Sequence, residues 1–445
     1  MKKIRDDLKS IYTEAIAAVN PIIAIDKHIK RDGQKLQLFS NDVLLKEFNL
    51  DRFKNIFVVG SGKATAPMAR AIEKILYDEI AGGCITVKYG YTEKLSKIET
   101  IEASHPIPDS EGIVGAKKIQ KILYDAKEED LVISLISGGG SSLLPLPPDS
   151  ITLDEKRGAT DLLLKSGATI HEINSVRKHL SQTKGGNLAR VAHPATVINL
   201  MISDVVGDNM DVIASGPFVP DNSTFSDALM TLQKYNLIDK ILPSIIHHLK
   251  SGVAEKIKET PKPGDPLFQR ITNLIIASNI IALKSAKDKA QERGYNTIIL
   301  SSLIEGDTAN VAYFHSAIAK EVLNSSYPVS RPACIISGGE TTVIVRGDGL
   351  GGRNMEFAIQ SARYINGYDN ITITSVGTDG TDGPTDAAGA ITDGNTVKRA
   401  RDIGVSIDNY IDNNDSYHFF KKLGDLVITG PTNTNVMDIR IIIID

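Results

Sequence analysis

Five turns rich in glycine or aspartate each follow an apolar run: GSGKAT (60–65), SGGGSS (137–142), SDVVGD (203–208), SGGETT (337–342) and GTDGTDGPTD (377–386). Glycine has no Cβ, so such turns reach positive φ and let backbone N–H groups converge on an anion. One such turn is ordinary; five of them at strand ends are what a large polar site at the rim of parallel sheets requires. Ser137, Gly138, Gly139, Gly140, Ser141 and Ser142 make a candidate oxyanion or phosphate cradle. Lys63, in the first turn, is either a solvated lysine or a point charge beside a helix start, suited to phosphate or carboxylate. Asp204 and Asp208 are turn and N-cap aspartates, or else Mg²⁺ ligands or a base for an attacking hydroxyl. Arg353, between a glycine loop and a helix start in GDGLGGRNMEF, can hold a carboxylate or a transferring phosphoryl group in bidentate fashion. Arg177, Lys178 and Lys184 cluster beside Gly185 and Gly186, as a solvated helix face or an anion site.

Several chemistries lack their residues. The GxG at 60–62 is followed by Thr65 where a dinucleotide fingerprint needs its third glycine, and the next strand ends in Lys88 and Tyr89 with no acid for a ribose. No GxxxxGK[ST] loop is present. Asp379, Asp382 and Asp386 do not form an EF-hand, because Ala390 stands where the closing Glu belongs. The nine histidines show no metal spacing, and His105 in SHPIPD reads as a loop-packing residue. Without a GxSxG elbow, or His and Asp partners for Ser141, a hydrolase is disfavoured.

The elements that must position these residues alternate. NIFVVGSGKATAPMARAIEKILYDEI is a strand, a glycine turn and a helix over about 66–79, and CITVKYGY and ETIEAS are further strands. A helix over 112–126 feeds the apolar run 131–136, which has the composition of a strand buried on both faces. Thr152 and Glu155 make a capping box for the next helix, 171–190 is basic and mostly helical, and 195–202 is a buried strand. The proline- and charge-rich 258–266 is the expected linker, after which LIIAS restarts the alternation. The pattern predicts an α/β protein of two domains, with a doubly wound parallel sheet in the first. At 445 residues the chain is long enough for two or three domains. A formal net charge of −4 gives no electrostatic case for nucleic acid or an anionic membrane. Cys84 and Cys334 lie in apolar strand-like runs and predict buried thiols in a reducing, cytoplasmic setting. Residues 4–19 read as an amphipathic helix rather than a signal peptide, and no apolar run reaches the roughly 18 residues a membrane span needs.

Taken together, VVGSGKA, SHPIPD, LISGGGSSLL, GATIHEINSVRKHLSQTKGG, SDVVGDNMDVIASGP, GGETTV, GLGGRNMEFA, SVGTDGTDGPTDAAGA and TGPTNTNVMDI resemble the glycerate 2-kinase family, whose C-terminal half is called MOFRL. The resemblance implies ATP- and Mg²⁺-dependent phosphorylation of D-glycerate to 2-phosphoglycerate. It also implies a Rossmann-like N-terminal domain (25–260), a MOFRL-type α/β domain (265–445) on which an N-terminal helix within 1–24 packs, and an active site in the cleft between domains. Lys63 and Arg353 correspond to the family's catalytic cations and Asp204 to its acidic residue, with Asp208 as a second metal-ligand candidate. Ser61, Lys63, Arg177 and Arg353 are assigned to the substrate, and Ser137 to Ser142 with Lys184 to nucleotide phosphates. The expected partners are D-glycerate and ATP, with no nucleic acid and no membrane; a homodimer is left open. The alternative activity is an NAD(P)-dependent hydroxypyruvate reductase, which would need the nicotinamide fingerprint that 60–65 and 84–89 lack.

Overall fold

The computed structural model describes residues 2–445. Two compact units emerge. One comprises Ala24–Ser203 and Asp208–Ile276, the other the described chain up to Ile23, Asp204–Gly207 and Ala277–Asp445. Among the described residues no single helix is long and apolar enough to cross a membrane.

The first unit is built on a six-stranded sheet in the order Ile98–Ala103, Ile80–Lys88, Asn55–Ser61, Asp130–Ile136, Thr196–Ile202, Ile271–Ala277. The first five strands pair in parallel. Every residue of Asp130–Ile136 is buried, as an apolar run covered on both faces must be. Helix Ser110–Asp125 packs Ala116, Ile119 and Leu123 against Cys84, Val132 and Val197. A separate layer of helices, Leu153–Lys165, Ile170–His179, Phe225–Lys234 and Pro243–Val253, closes over its own core of Leu163, Ile173, Phe225, Leu232 and Leu249. The Thr152–Glu155 capping box starts the first of these helices, and a second box, Thr169 with Glu172, starts the next.

Two expectations are corrected here. The stretch 258–266 is fastened rather than free: Glu259 accepts from His179 Nε2 at 2.7 Å and Thr260 Oγ1 donates to buried Asp221 at 3.0 Å. LIIAS therefore does not open a second sheet but completes the edge of the first, with Asn199 Nδ2 reaching Asn273 Oδ1 at 2.8 Å. A three-stranded antiparallel sheet, Ile29–Asp32, Lys35–Ser40 and Val43–Asn49, also precedes the alternating region.

The second unit holds a mixed sheet in the order Asn296–Ile304, Ala333–Gly339, Asp438–Ile444, Ile371–Gly377, Gly389–Asp393, Leu426–Val427. Only the first pair is parallel; the C-terminal strand runs antiparallel to both its neighbours. Helix Thr308–Ser325 covers one face through Ala312, Ala319 and Val322. Helix Arg353–Tyr364 packs Met355, Ala358 and Ile359 with Ala390, Phe419 and Phe420. Helix Lys2–Ala18 belongs to this unit, with Ile4, Leu8, Ile11 and Ala15 buried, Tyr295 Oη donating to Asp7 at 2.9 Å, and Arg5 paired with Asp393 and Asp425.

Candidate active site

In the first unit, Asn55–Ser61 and Asp130–Ile136 are parallel neighbours, with Ser61 opposite Ile136. Their turns therefore leave the same end of the sheet, and there they are laced together. Lys63 N–H donates to Gly138 O at 2.9 Å, Ala64 N–H to Ser137 Oγ at 3.0 Å, and Ser137 N–H to Ser61 O at 3.1 Å. Ser61 Oγ reaches Gly140 O at 3.4 Å, and Thr65 Oγ1 and Ser137 Oγ lie 3.2 Å apart. Gly139 sits at φ +82, a left-handed conformation that glycine adopts without strain. A Cβ added there would come within 2.9 Å of the His105 ring and 3.4 Å of Lys63 Cε. The glycine thus lets the two turns and the SHPIPD loop converge around the half-buried lysine.

His105, read from the sequence as a loop-packing residue, lies against Gly139 close to Lys63. Burial first, then the charges of Lys63 and Lys88, bring its pKa down to about 4, so at neutral pH it stands beside Lys63 uncharged. The bonds made by Lys63 and Ala64 have a second consequence. They occupy N–H groups at the start of helix Thr65–Leu76 that a dinucleotide pyrophosphate would need. The missing third glycine and these engaged donors weigh against a nicotinamide site in the same place.

The basic segment is not a solvated face. Lys178 is buried and ion-paired with Asp211 at 3.0 Å and Asp221 at 3.1 Å. Lys184 is buried too, and its ammonium donates to the carbonyls of Ser141 and Leu144, bracing the end of the SGGGSS turn. Ser141 Oγ lies 3.1 Å from Ser215 Oγ, which donates to Asn174 Oδ1. Arg177, Lys184, Ser141 and Ser142 share a cavity of about 440 Å³ with Lys156, a residue outside every sequence motif considered.

In the second unit the register gathers the other chemistry-bearing turns. Gly339 and Gly377, where SGGETT and GTDGTDGPTD begin to leave their strands, are both paired with Asp438. Arg353, first residue of its helix, donates from Nε to Asp438 at 2.7 Å and from Nη1 to Glu340 at 2.7 Å. Asn354 Nδ2 adds a bond to Asp438 Oδ1 at 2.9 Å, and Arg440, stacked over Phe357, contacts the same carboxylate at 3.4 Å. Asp382 accepts from the N–H groups of Asn354 and Met355 at 3.0 and 2.8 Å, serving the helix start that Gly352 cannot cap. Burial pushes Asp382 up to about 7 against those two donors. Glu340 is also raised, by burial first and, against Arg353, by the charges of Asp438, Asp204 and Asp379. Glu340 and Asp438, at strand ends, and Asp382 thus gather at the start of the Arg353 helix, a grouping visible only once the register is known.

Asp204 falls with the second unit and Asp208, at φ +56, with the first. Among the described residues no group of three or more His, Cys, Asp or Glu is arranged to hold a metal.

Residues 7–250 match a domain of unknown function, DUF4147, and 333–438 match the MOFRL family. A glycerate 2-kinase of Pyrococcus horikoshii is 43% identical over 442 residues, 99% of this chain and 97% of that protein. A putative hydroxypyruvate reductase of Agrobacterium vitis is 39% identical over 442 residues, 99% of this chain and 94% of its own length. The crystal structure of a glycerate kinase from Thermotoga maritima superposes with a TM-score of 0.89 at 38% identity, covering 100% of both chains. With these matches spanning its length, the chain belongs to the glycerate 2-kinase family.

Proposed function

We propose that this protein transfers the terminal phosphoryl group of ATP to the 2-hydroxyl of D-glycerate, giving 2-phosphoglycerate and ADP, with Mg²⁺ as the accompanying metal. The observation that carries the reading is the interlock of the GSGKAT and SGGGSS turns, which fixes the backbone of Lys63 against the glycine turn at a sheet's carboxyl end, with its side chain passing Gly139. The kinase names of close relatives supply the substrate.

Phosphoryl transfer asks little covalent chemistry of a protein; positioning and charge neutralisation supply most of the acceleration. Lys63 provides one positive charge, and the neutral His105 next to it adds no competing cation for the same anion. Arg353 provides the second. Its Nε and Nη1 are engaged by Asp438 and Glu340, so the guanidinium is held in one orientation and neither must reorganise as charge develops. Backbone groups of Ser137 to Ser142 take nucleotide phosphates, and Asp204 orients the 2-hydroxyl.

Mg²⁺ in such sites takes one or two carboxylates and leaves its remaining positions to water and phosphate oxygens. The lack of a three-ligand cluster is compatible with that habit. Asp204 and Glu340, close enough for one charge to raise the other's pKa, fit as the carboxylates that would hold it. When bound, the metal supplies charge neutralisation at the phosphates.

Incubation of purified protein with ATP, Mg²⁺ and D-glycerate, resolved by ³¹P NMR, tests the proposal. A 2-phosphoglycerate signal that disappears without Mg²⁺ is expected. The 3-phosphate would keep the kinase and overturn the placement of Asp204. Oxidation of NAD(P)H by hydroxypyruvate without phosphoryl transfer would install the reductase, the activity named for the Agrobacterium relative.

A further inference from the structure

Lys156 lies in the first turns of helix Leu153–Lys165, its side chain turned inward: the residue is 6% exposed and its ammonium has no hydrogen-bond partner. A buried cation without a partner costs far more than an exposed one, and folded proteins avoid it unless something else completes the site. What surrounds Lys156 makes the anomaly sharper. It lines the 440 Å³ cavity together with Arg177 and Lys184. Arg177 is lowered by burial alone, with no carboxylate acting on it, and Lys184 bonds only to neutral carbonyls. The carboxylate on the cavity wall, Asp161, is ion-paired with Lys165, and Arg157 is spent on Asp154 and the Pro108 carbonyl. Three basic side chains therefore converge on a cavity whose one carboxylate, Asp161, is taken by Lys165.

The rest of the lining narrows the missing partner. Ser141 and Ser142, from the SGGGSS turn, line the cationic end with hydroxyls engaged by Ser215 Oγ and Gly139 O. Opposite in character are Pro106, Ile107, Pro108 and Leu164, of which Ile107 and Leu164 are exposed large apolar side chains. A monocarboxylate such as glycerate would pair with one of the three basic side chains and leave the apolar wall bare. A nucleoside polyphosphate carries three or four negative charges at one end and a flat, largely apolar base at the other, and the cavity falls within the roughly 300–1,000 Å³ of small-molecule sites.

The geometry points to this cavity as the seat of the nucleotide, with Lys156, Arg177 and Lys184 binding the polyphosphate and the Pro106–Pro108 loop and Leu164 covering the base. The assignment rests on the kinase reading for its choice of a nucleotide. It moves Arg177 from the glycerate to the nucleotide and adds Lys156 to the binding set. It also predicts a linkage. Burial, reinforced by Arg177, brings Lys156 down to about 7, and burial with the charges of Lys156 and Arg177 lowers Lys184 too, so above neutrality Lys156 is mostly uncharged without a ligand. A polyanion favours the ammonium, and binding takes up a proton.

Calorimetric titration of the full-length protein with ADP and Mg²⁺ at pH 8, in two buffers of different ionisation enthalpy, reads both affinity and protons. Wild type is expected to bind with uptake of up to about one proton. Lys156→Met is expected to weaken ADP by about 10-fold or more, and Lys156→Arg to keep most of the affinity with less proton uptake, since arginine arrives already charged. Wild-type affinity in Lys156→Met, or no proton uptake on binding to wild type, would overturn the assignment. Pyrophosphate binding as tightly as ADP would overturn the seat for the base. Glycerate phosphorylation assayed in parallel separates the two readings. Turnover with an unaltered ADP affinity in Lys156→Met removes the cavity and leaves the kinase, whereas Lys156-dependent ADP binding without turnover removes the kinase and leaves the cavity.

Discussion

Lys63 and Arg353 are cations held in different ways, and their replacement should have different signatures. Lys63 has no carboxylate partner among the described residues, whereas Arg353 is bonded to Asp438, whose side chain is fully buried. Lys63→Ala and Arg353→Ala are each expected to lower kcat/KM for glycerate by roughly 10²-fold or more, about 3 kcal/mol of transition-state stabilisation. Only the arginine variant should also melt at a lower temperature, because it strips a donor from a buried carboxylate. Near-wild-type turnover in a folded variant would remove that residue from the mechanism. Lys156 makes the opposite prediction for stability. Its folded pKa, about 7, lies below the ordinary lysine value of 10.5, so the unfolded chain binds more protons between those limits. Wild-type stability from this group is therefore complete above pH 10.5 and falls away as pH drops through 7. Lys156→Met should raise the melting temperature of the ligand-free protein most near pH 7 and least near pH 10; a gain independent of pH would contradict the buried charge. The residue scale also shows what a sequence conceals. Lys63 and Arg353 announce themselves because glycines flank them. Lys156 sits in an unremarkable helical run, LDEKRGATD, and its burial is decided by helices that follow it by up to about a hundred residues.

At the scale of elements, helix Arg353–Tyr364 is the instructive one. Its N-cap is Gly352, which has no side chain to offer, and the duty passes to Asp382 from another turn. Asp382→Ala leaves the N–H groups of Asn354 and Met355 without that acceptor. A loss of about 1–3 kcal/mol is expected from the buried, unsatisfied donors, read as a lower midpoint in urea. The carboxyl is raised by burial from 3.8 to about 7, so the folded state keeps a proton that the unfolded chain has released. Its contribution to stability is greatest below about pH 4 and declines as pH rises towards 7. The wild-type advantage over Asp382→Ala should shrink across that range, and an advantage that grew with pH would refute the assignment. Local signals made much of the element list legible. The Thr152–Glu155 box starts a helix as read, and Asp307 caps Thr308–Ser325. Signals that depend on distant pairing were not legible. LIIAS looks like the start of a new domain because a proline-rich segment precedes it, yet Glu259 and Thr260 fasten that segment to His179 and Asp221. The strand's partner, Thr196–Ile202, was already laid down some seventy residues earlier.

At the scale of the molecule, the second unit depends on the last strand of the chain to be made. Asp438–Ile444 is buried at every position and lies between Ala333–Gly339 and Ile371–Gly377, bonded to both in antiparallel register. Sequence alternation gave strand after helix up to ITITSVG and implied that such strands lie side by side. Instead the C-terminal segment separates them and brings Asp438 opposite both Gly339 and Gly377, where Arg353 reaches it. Removing residues 437–445 would thus expose two strand edges in the middle of a sheet, lose the buried side chains of Ile439, Ile441, Ile442, Ile443 and Ile444, and deprive Arg353 of its fully buried partner. Each such isoleucine contributes roughly 1.5–3 kcal/mol on burial, so the five together, about 7.5–15 kcal/mol, are as large as the roughly 5–15 kcal/mol by which a domain is ordinarily stable. The first unit has its own cores and none of its strands pair with this segment. Hydrogen exchange on the truncated chain should therefore show amides of Ala333–Gly339 and Ile371–Gly377 exchanging as in an unfolded peptide, while those of Asn55–Ser61 and Asp130–Ile136 stay protected. Protection retained in both sets would mean that the second unit closes its sheet without the strand. Loss of protection in both would mean that the two units do not fold separately, and the division at Ile276 would then describe contacts rather than folding.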